Sequence, residues 1–362
     1  MPTALVLEAP RSLVPREFPV PEVGDDDGLL RVEACGLCGT DHEQFTGELH
    51  PGWPFVPGHE TVGVVEAVGA RAAQRWGVRS GDRVAVEVFM SCRACDACRA
   101  GAYRRCVRHG IREMYGFVPA DRAPGLWGGY AQYQYLAPDS LLLPVPEVLD
   151  PVVATAFNPL GAGIRWAVTV PQTPAGSVVA VLGPGIRGLS AVAALREHGA
   201  GFVMATGCGE RDRPRLDLAR TFGADLTVDV ARDDPVKALR GATGALADVV
   251  VDVTAKAPGA LGQAVALART GGTVVVAGTR GATETPGFNP DLVVYKELRI
   301  LGALGVDAPA YRAALELLAS ERYPFADLPR RVVGFDGVGS LLAAMAGDTA
   351  TGPPPVHGVF RP

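Results

Sequence analysis

The sequence predicts an α/β protein in two parts, a β-rich, barrel-like module followed by a doubly wound parallel sheet. Three observations lead there. The chain has 362 residues, more than one ordinary core of roughly 100 to 200 residues holds. Up to about residue 150 it reads as short alternating strands punctuated by Gly-Asp, Pro-Gly and Gly-Gly turns. Beyond that point strand-like and helix-like runs alternate, the pattern of βαβ units whose sheet is covered on both faces.

Composition narrows the class before any motif is read. With 48% hydrophobic and 20% charged residues, the chain can offset the entropy of ordering and is not a disordered one. Its 45 glycines and 30 prolines recur without a period, which excludes collagen-like and low-complexity readings. A net charge of -5 and no basic stripe argue against nucleic acid and anionic membrane as partners. No apolar run reaches the roughly 18 to 20 residues of a membrane span, and the first residues lack the pattern of a secretory signal. A cytoplasmic protein with a small-molecule partner is expected. Seven cysteines in that setting point to metal rather than disulfides.

In chain order, strands are expected at 29–34, 61–68 and 83–88 of the first module. In the second part, strands at 178–182, 201–205, 248–252 and 273–277 alternate with helices at 188–197, 213–222 and 259–268. A further helix is expected at 308–320, and the last sixty or so residues either continue the sheet or return to the first module.

Residues 35–42, CGLCGTDH, precede PGHE at 57–60. A thiolate, an imidazole and a carboxylate brought together by folding suit a catalytic zinc with one position open for substrate or water. Cys38, His59 and Glu60 are the candidates, with Cys35 a buried small residue. Thr40 offers a hydroxyl beside such a metal, His42 or Glu43 could extend a proton path from it, and Asp41 is placed to fix a histidine tautomer by accepting its other N–H.

Cys92, Cys95, Cys98 and Cys106 follow the spacing C-x2-C-x2-C-x7-C. Four thiolates on one short segment can close a tetrahedron around a structural zinc. An iron–sulfur cluster or free thiols are the alternatives, and the spacing is unlike the ferredoxin patterns.

The strand at 178–182 runs into Gly183, Gly185, Ile186, Arg187 and Gly188, the turn GPGIRG, and then into a helical run. Strand, glycine turn and helix in that order bring backbone N–H groups and the positive helix end to a dinucleotide pyrophosphate. Arg187 touches those phosphates or caps the loop. Where an NAD site commonly offers an acid to the adenosine ribose, this chain has Thr206 and Gly207, with Arg211 and Arg213 just beyond. Without that acid a 2′-phosphate is not repelled, and a guanidinium can pair with it. NADP is favoured over NAD, while Glu210 and Asp212 leave NAD open.

Together GLCGTDH, PGHE, the four-cysteine lobe, GGYAQY at 128–133 and GPGIRG resemble the zinc-containing medium-chain dehydrogenases and reductases, the alcohol, sorbitol and threonine dehydrogenase group. The resemblance spans nearly the whole chain. It implies a GroES-like catalytic domain at 1–157 with a zinc lobe near 90–107, a Rossmann NAD(P)-binding domain at 158–300, a return to the catalytic domain at 301–362, and a cleft between the two domains. It further implies that Cys38 and His59 are the first two catalytic zinc ligands, that Glu60 can enter the metal shell, that Thr40 accepts the substrate proton, and that Cys92, Cys95, Cys98 and Cys106 hold the structural zinc. Homodimers and homotetramers dominate the group.

One departure stands out. The family's third catalytic ligand, a Cys, Glu or Asp, lies in a stretch like EPLGNA. Here residues 157–162 read FNPLGA, with Asn158 at the ligand position. Either Asn158 coordinates weakly, or Glu60 is the third protein ligand, or only the structural zinc remains. The group's relay histidine often stands five residues after the cysteine, whereas here His42 stands four after and Glu43 five. The expected activity is zinc-dependent, NAD(P)-linked interconversion of an alcohol and an aldehyde or ketone. The alternatives are a reductase of an activated double bond or carbonyl with only the structural zinc, and a non-catalytic dinucleotide-binding protein. Trp53, Phe89, Tyr115 and Trp127 flank the metal motifs and are candidate pocket walls or core fillers.

Overall fold

The strand Gly28–Leu37 is almost continuously buried, and it serves as the hub of a seven-stranded sheet because both its edges and both its faces are covered. In this computed structural model, which describes residues 1–49, 52, 54–281, 284–348, 350 and 354–362, the sheet order is Arg330–Val333, His357–Phe360, Gly28–Leu37, Glu60–Val68, Arg83–Val86 and Leu142–Pro144. Tyr133–Leu136 also pairs with Gly28–Leu37. Two register shifts in the Gly28–Leu37/Glu60–Val68 pair mark β-bulges that let such a sheet curl. An antiparallel hairpin, Thr3–Ala9 with Ser12–Glu17, forms a small sheet of its own, tied to the rest by the Leu5 N–H on the Tyr130 carbonyl and the Leu7 N–H on the Phe55 carbonyl.

The chain divides into two units, Met1–Asn158 with Asp307–Pro362, and Pro159–Val306. In the first, Leu30, Val65, Val84, Trp127 and Leu136 form one core cluster, and Leu7, Cys35, Phe55, Tyr130 and Phe360 form another. The last strand, His357–Phe360, runs antiparallel to Gly28–Leu37 with Gly358 opposite Leu37.

The second unit is a six-stranded parallel sheet ordered Leu226–Asp229, Phe202–Gly207, Val178–Leu182, Ala247–Asp252, Ala268–Val276 and Arg299–Gly302. Its inner strands are runs of Val and Ala because both faces are buried. The helices Ile186–His198, Arg213–Thr221, Pro235–Thr243 and Ala260–Leu267 alternate with the strands. Strand order reverses between Val178–Leu182 and Ala247–Asp252, the switch point at which such sheets open a ligand crevice. The sheet does not end at residue 300, since Arg299–Gly302 is its edge strand. Among the described residues no helix is long and apolar enough to cross a membrane.

Candidate active site and metal centres

Cys38 is the N-cap of the helix Gly39–Thr46 and closes a capping box with Asp41. Its sulfur thus sits at the positive end of the helix, a setting that favours negative charge. His59 and Glu60 arrive where the chain enters the strand Glu60–Val68, and Gly36 lies opposite Glu60 in the sheet. A side chain at Gly36 would displace the Glu60 carboxylate, because even Glu60 Cβ would lie 3.1 Å from the added carbon. The fold therefore brings Cys38, His59 and Glu60 together, all buried, with one ligand atom from each within 4.8 Å of the others. Cys38 Sγ faces His59 Nε2 at 3.1 Å. Behind them Asp41 reaches both residues: its Oδ2 accepts the Cys38 N–H at 2.8 Å, and its Oδ1 stands 3.5 Å from His59 Nδ1.

The four lobe cysteines also converge, with sulfurs within 4.8 Å of one another. Backbone N–H groups of Val107 and Cys98 hold the Cys95 thiol below its ordinary pKa. Burial pushes the Cys106 thiol up, but N–H groups including that of His109 outweigh it and bring it down to about 6. Peptide donors of this kind stabilise metal-binding thiolates.

In the second unit Gly183 adopts φ 98°, which a side chain would strain, and Gly185 caps the helix Ile186–His198 with open space where its Cβ would lie. Gly188 packs on the Gly183 carbonyl. Arg187 rests over the Trp166 ring at 5.4 Å. The Thr206 carbonyl accepts the Gly183 N–H at 3.0 Å, and Gly207 is enclosed by Pro184, Asp212 and Leu216. Arg211 and Arg213 are exposed, and Arg213 pairs with Glu210 at 2.7 Å. Between the helix Arg213–Thr221 and the strand Leu226–Asp229 lies a cavity of about 190 Å³ lined by Arg213, Arg220 and Arg232 together with Asp217, Asp229 and Asp233.

Not every expected residue joins these groups. Asn158 is buried, and its amide N–H donates to the Tyr311 hydroxyl at 2.9 Å. Thr40 is half-buried in the first turn after Cys38, Glu43 is half-buried, and His42 is buried on the same helix with its Nε2 toward Gly39. The candidate pocket walls are core instead: Tyr115 and Trp127 pack in the cluster around Leu30, and Phe89 packs on Val88 and Tyr103. Aromatic rings near a motif are used for packing when their neighbours are apolar. Trp53 lies outside the described residues. Sequence reasoning missed Asp229, whose carboxylate accepts N–H groups of Gly209 and Ala231 and so shapes the loop after Gly207. It lies far along the chain and only strand pairing brings it there.

Comparison with known proteins follows the same residues. Residues 24–147 match the alcohol dehydrogenase GroES-like domain, and residues 188–320 match the zinc-binding dehydrogenase domain. The chain is 70% identical over 360 residues to a probable alcohol dehydrogenase of Mycobacterium tuberculosis, covering 99% of this chain and 98% of that protein. This chain belongs to the zinc-containing medium-chain dehydrogenase/reductase family. The dehydrogenase is also 32% identical over 324 residues to sorbitol dehydrogenase of Bacillus subtilis, covering 88% of this chain and 86% of the other. A solved zinc-binding dehydrogenase from Sinorhizobium meliloti 1021 bound to NADP superposes with a TM-score of 0.84 at 30% identity, covering 100% of this chain and 99% of that one.

As a member of this family the dehydrogenase is a zinc-dependent, NAD(P)-linked oxidoreductase. Its donors fit the metal: thiolate, imidazole and carboxylate in one buried group, and four thiolates in the other, are zinc ligands by type and number. The Gly183–Gly188 turn and the helix that follows fit the dinucleotide.

Proposed function

We propose that this dehydrogenase interconverts an alcohol and an aldehyde or ketone, with Cys38, His59 and Glu60 holding the catalytic zinc and Cys92, Cys95, Cys98 and Cys106 the structural one. The convergence of the three ligand atoms within 4.8 Å supports the catalytic site most strongly. Glu60 as third protein ligand is favoured over Asn158, because its carboxylate lies in one buried group with Cys38 and His59 and brings a charge that a neutral amide lacks. When bound, zinc supplies Lewis acidity toward the substrate oxygen and the nicotinamide supplies or accepts hydride. The chain's own residues do the rest. Cys38 and Glu60 bring two negative charges, His59 brings a neutral donor, and Asp41 holds the backbone of one and faces the ring of another. Thr40 takes the alcohol proton while passing its own hydroxyl proton on, toward His42 or Glu43 on the same helix.

NADP is the preferred coenzyme in this reading. Gly207 ends its strand without a carboxylate, and Arg213 lines the cavity beside that end. The substrate is a small alcohol or carbonyl compound. A homodimer through the edge strand Arg299–Gly302 fits the exposure of Val294, Tyr295, Ile300 and Leu304 around it, since an open apolar edge invites a second identical edge. Cysteines grouped as metal ligands rather than paired as disulfides suit a reducing, cytoplasmic setting.

Metal analysis joined to turnover tests the proposal. Two zinc ions per chain and NADP reduction by an alcohol are expected, with Glu60→Gln losing one zinc and most of the rate. A chain that holds one zinc and oxidises no alcohol with either coenzyme defeats it.

A further inference from the structure

Four buried polar atoms beside the Cys38–His59 pair have no hydrogen-bond partner among the described residues: Asp41 Oδ1, Gln44 Oε1, His59 Nδ1 and the Tyr130 hydroxyl. Native interiors pair nearly all such groups with protein or ordered water, so several in one neighbourhood mark an occupied spot. They share that neighbourhood. Asp41 and Gln44 stand three residues apart, one turn along the helix Gly39–Thr46, and both are buried. His59 Nδ1 is 3.5 Å from Asp41 Oδ1. Tyr130 packs on the residue just before His59, since a carbon added at Gly58 would fall 2.6 Å from Tyr130 Cδ1. Burial pushes the Tyr130 hydroxyl well above its ordinary pKa, and the charge that adds most to this is Asp41, followed by Cys35, Cys38 and Glu60.

The ring of Tyr130 has an evident packing role, in the apolar cluster with Leu5, Leu7, Leu37 and Phe360. A phenylalanine would fill that role. The hydroxyl adds nothing to the packing, and an unpaired buried hydroxyl is unfavourable.

We propose that these atoms enclose one buried water and that Tyr130, acting through it, is a positioning residue for the catalytic zinc. The proposal rests on the zinc reading above. The Tyr130 O–H donates to the water, which donates its own two hydrogens to Asp41 Oδ1 and Gln44 Oε1, about the number of bonds a buried water makes. Asp41 is thereby held with Oδ1 toward the His59 Nδ1–H and Oδ2 on the Cys38 N–H. The imidazole then keeps Nε2 turned to Cys38 Sγ. Groups that orient a metal's ligands in this way typically change metal affinity roughly 10- to 100-fold when lost.

The test is Tyr130→Phe in the zinc-loaded enzyme, which keeps the ring and removes one oxygen. Zinc release to a chelator is followed for both sites, with the four-cysteine site as internal control. The same variant is loaded with cobalt(II) and its visible spectrum recorded. One step further from the metal than Asp41, the hydroxyl is expected to slow release from the catalytic site about fivefold, so its loss speeds that release while the control rate stays put. The cobalt–thiolate bands shift, and the thermal midpoint falls. Unchanged release and spectrum with a raised midpoint, the signature of an orphan hydroxyl removed, overturn the proposal. A wild-type chain carrying only the four-cysteine zinc overturns the zinc reading and this proposal together, whereas two zinc ions with an indifferent Tyr130→Phe overturn this one alone.

Discussion

Asn158 gives its amide N–H to the Tyr311 hydroxyl at 2.9 Å, both residues being buried. A side chain at the family's third-ligand position is thus tied into the helix Ala308–Ala319, which returns late in the chain. Asn158→Asp restores a charged ligand at that position and is expected to slow loss of the catalytic zinc roughly tenfold, read by chelator competition. Asn158→Ala removes one buried hydrogen bond and is expected to cost about 1 kcal/mol in denaturant unfolding.

Glu87 is fully buried, and burial pushes its carboxyl up to about 8 although the Tyr103 hydroxyl and the Phe89 N–H both favour the charged form. Asp307 repels the charged form further. The folded protein therefore holds a proton here that the unfolded chain releases near its ordinary value of 4.5. The stability this contributes is complete at low pH and is lost as pH rises from about 4.5 to about 8, with a slope approaching 1.4 kcal/mol per pH unit. Unfolding titrations of wild type and Glu87→Gln should differ by that slope, the variant lacking it.

Cys98→Ser removes one of the four thiolates of the proposed structural zinc site. One of two zinc equivalents should disappear from metal analysis and the thermal midpoint should drop, by roughly 5 to 10 °C. The ligands proposed at Cys38 and His59 are untouched, so the remaining zinc should still support cobalt exchange there.

Arg213 is half-exposed beside Glu210. Arg213→Ala should weaken binding of 2′,5′-ADP about tenfold while leaving 5′-AMP nearly unchanged. Removing the competing carboxylate with Glu210→Gln should act in the opposite direction. Equal losses for both nucleotides in Arg213→Ala would assign the arginine to the pyrophosphate or to the fold.

Much of the fold and of the candidate sites is legible in the sequence, because the signals are local. The lobe cysteines lie within fifteen residues of one another, so their spacing alone constrains the metal. The glycine turn declares itself by standing between a valine-rich strand and a helix. What was not readable depends on distance along the chain. Asp229 organises a loop twenty residues upstream only because its strand lies beside Phe202–Gly207. Tyr130 reaches the metal motif through the chain reversal that packs it on Gly58. Phe89, Tyr115 and Trp127 look alike in sequence whether they line a pocket or fill a core, and only their neighbours decide.

The strand His357–Phe360 lies inside its sheet, flanked by Arg330–Val333 and Gly28–Leu37. Translation delivers it only after the whole of the segment Pro159–Val306. The contiguous segment Pro159–Val306 can condense while translation continues, but the first unit's sheet must wait with an open seam until residues 357–360 emerge. Nascent chains stalled before residue 357 should thus carry an assembled coenzyme domain beside a gaping partner, the stage at which chaperones would find most to bind.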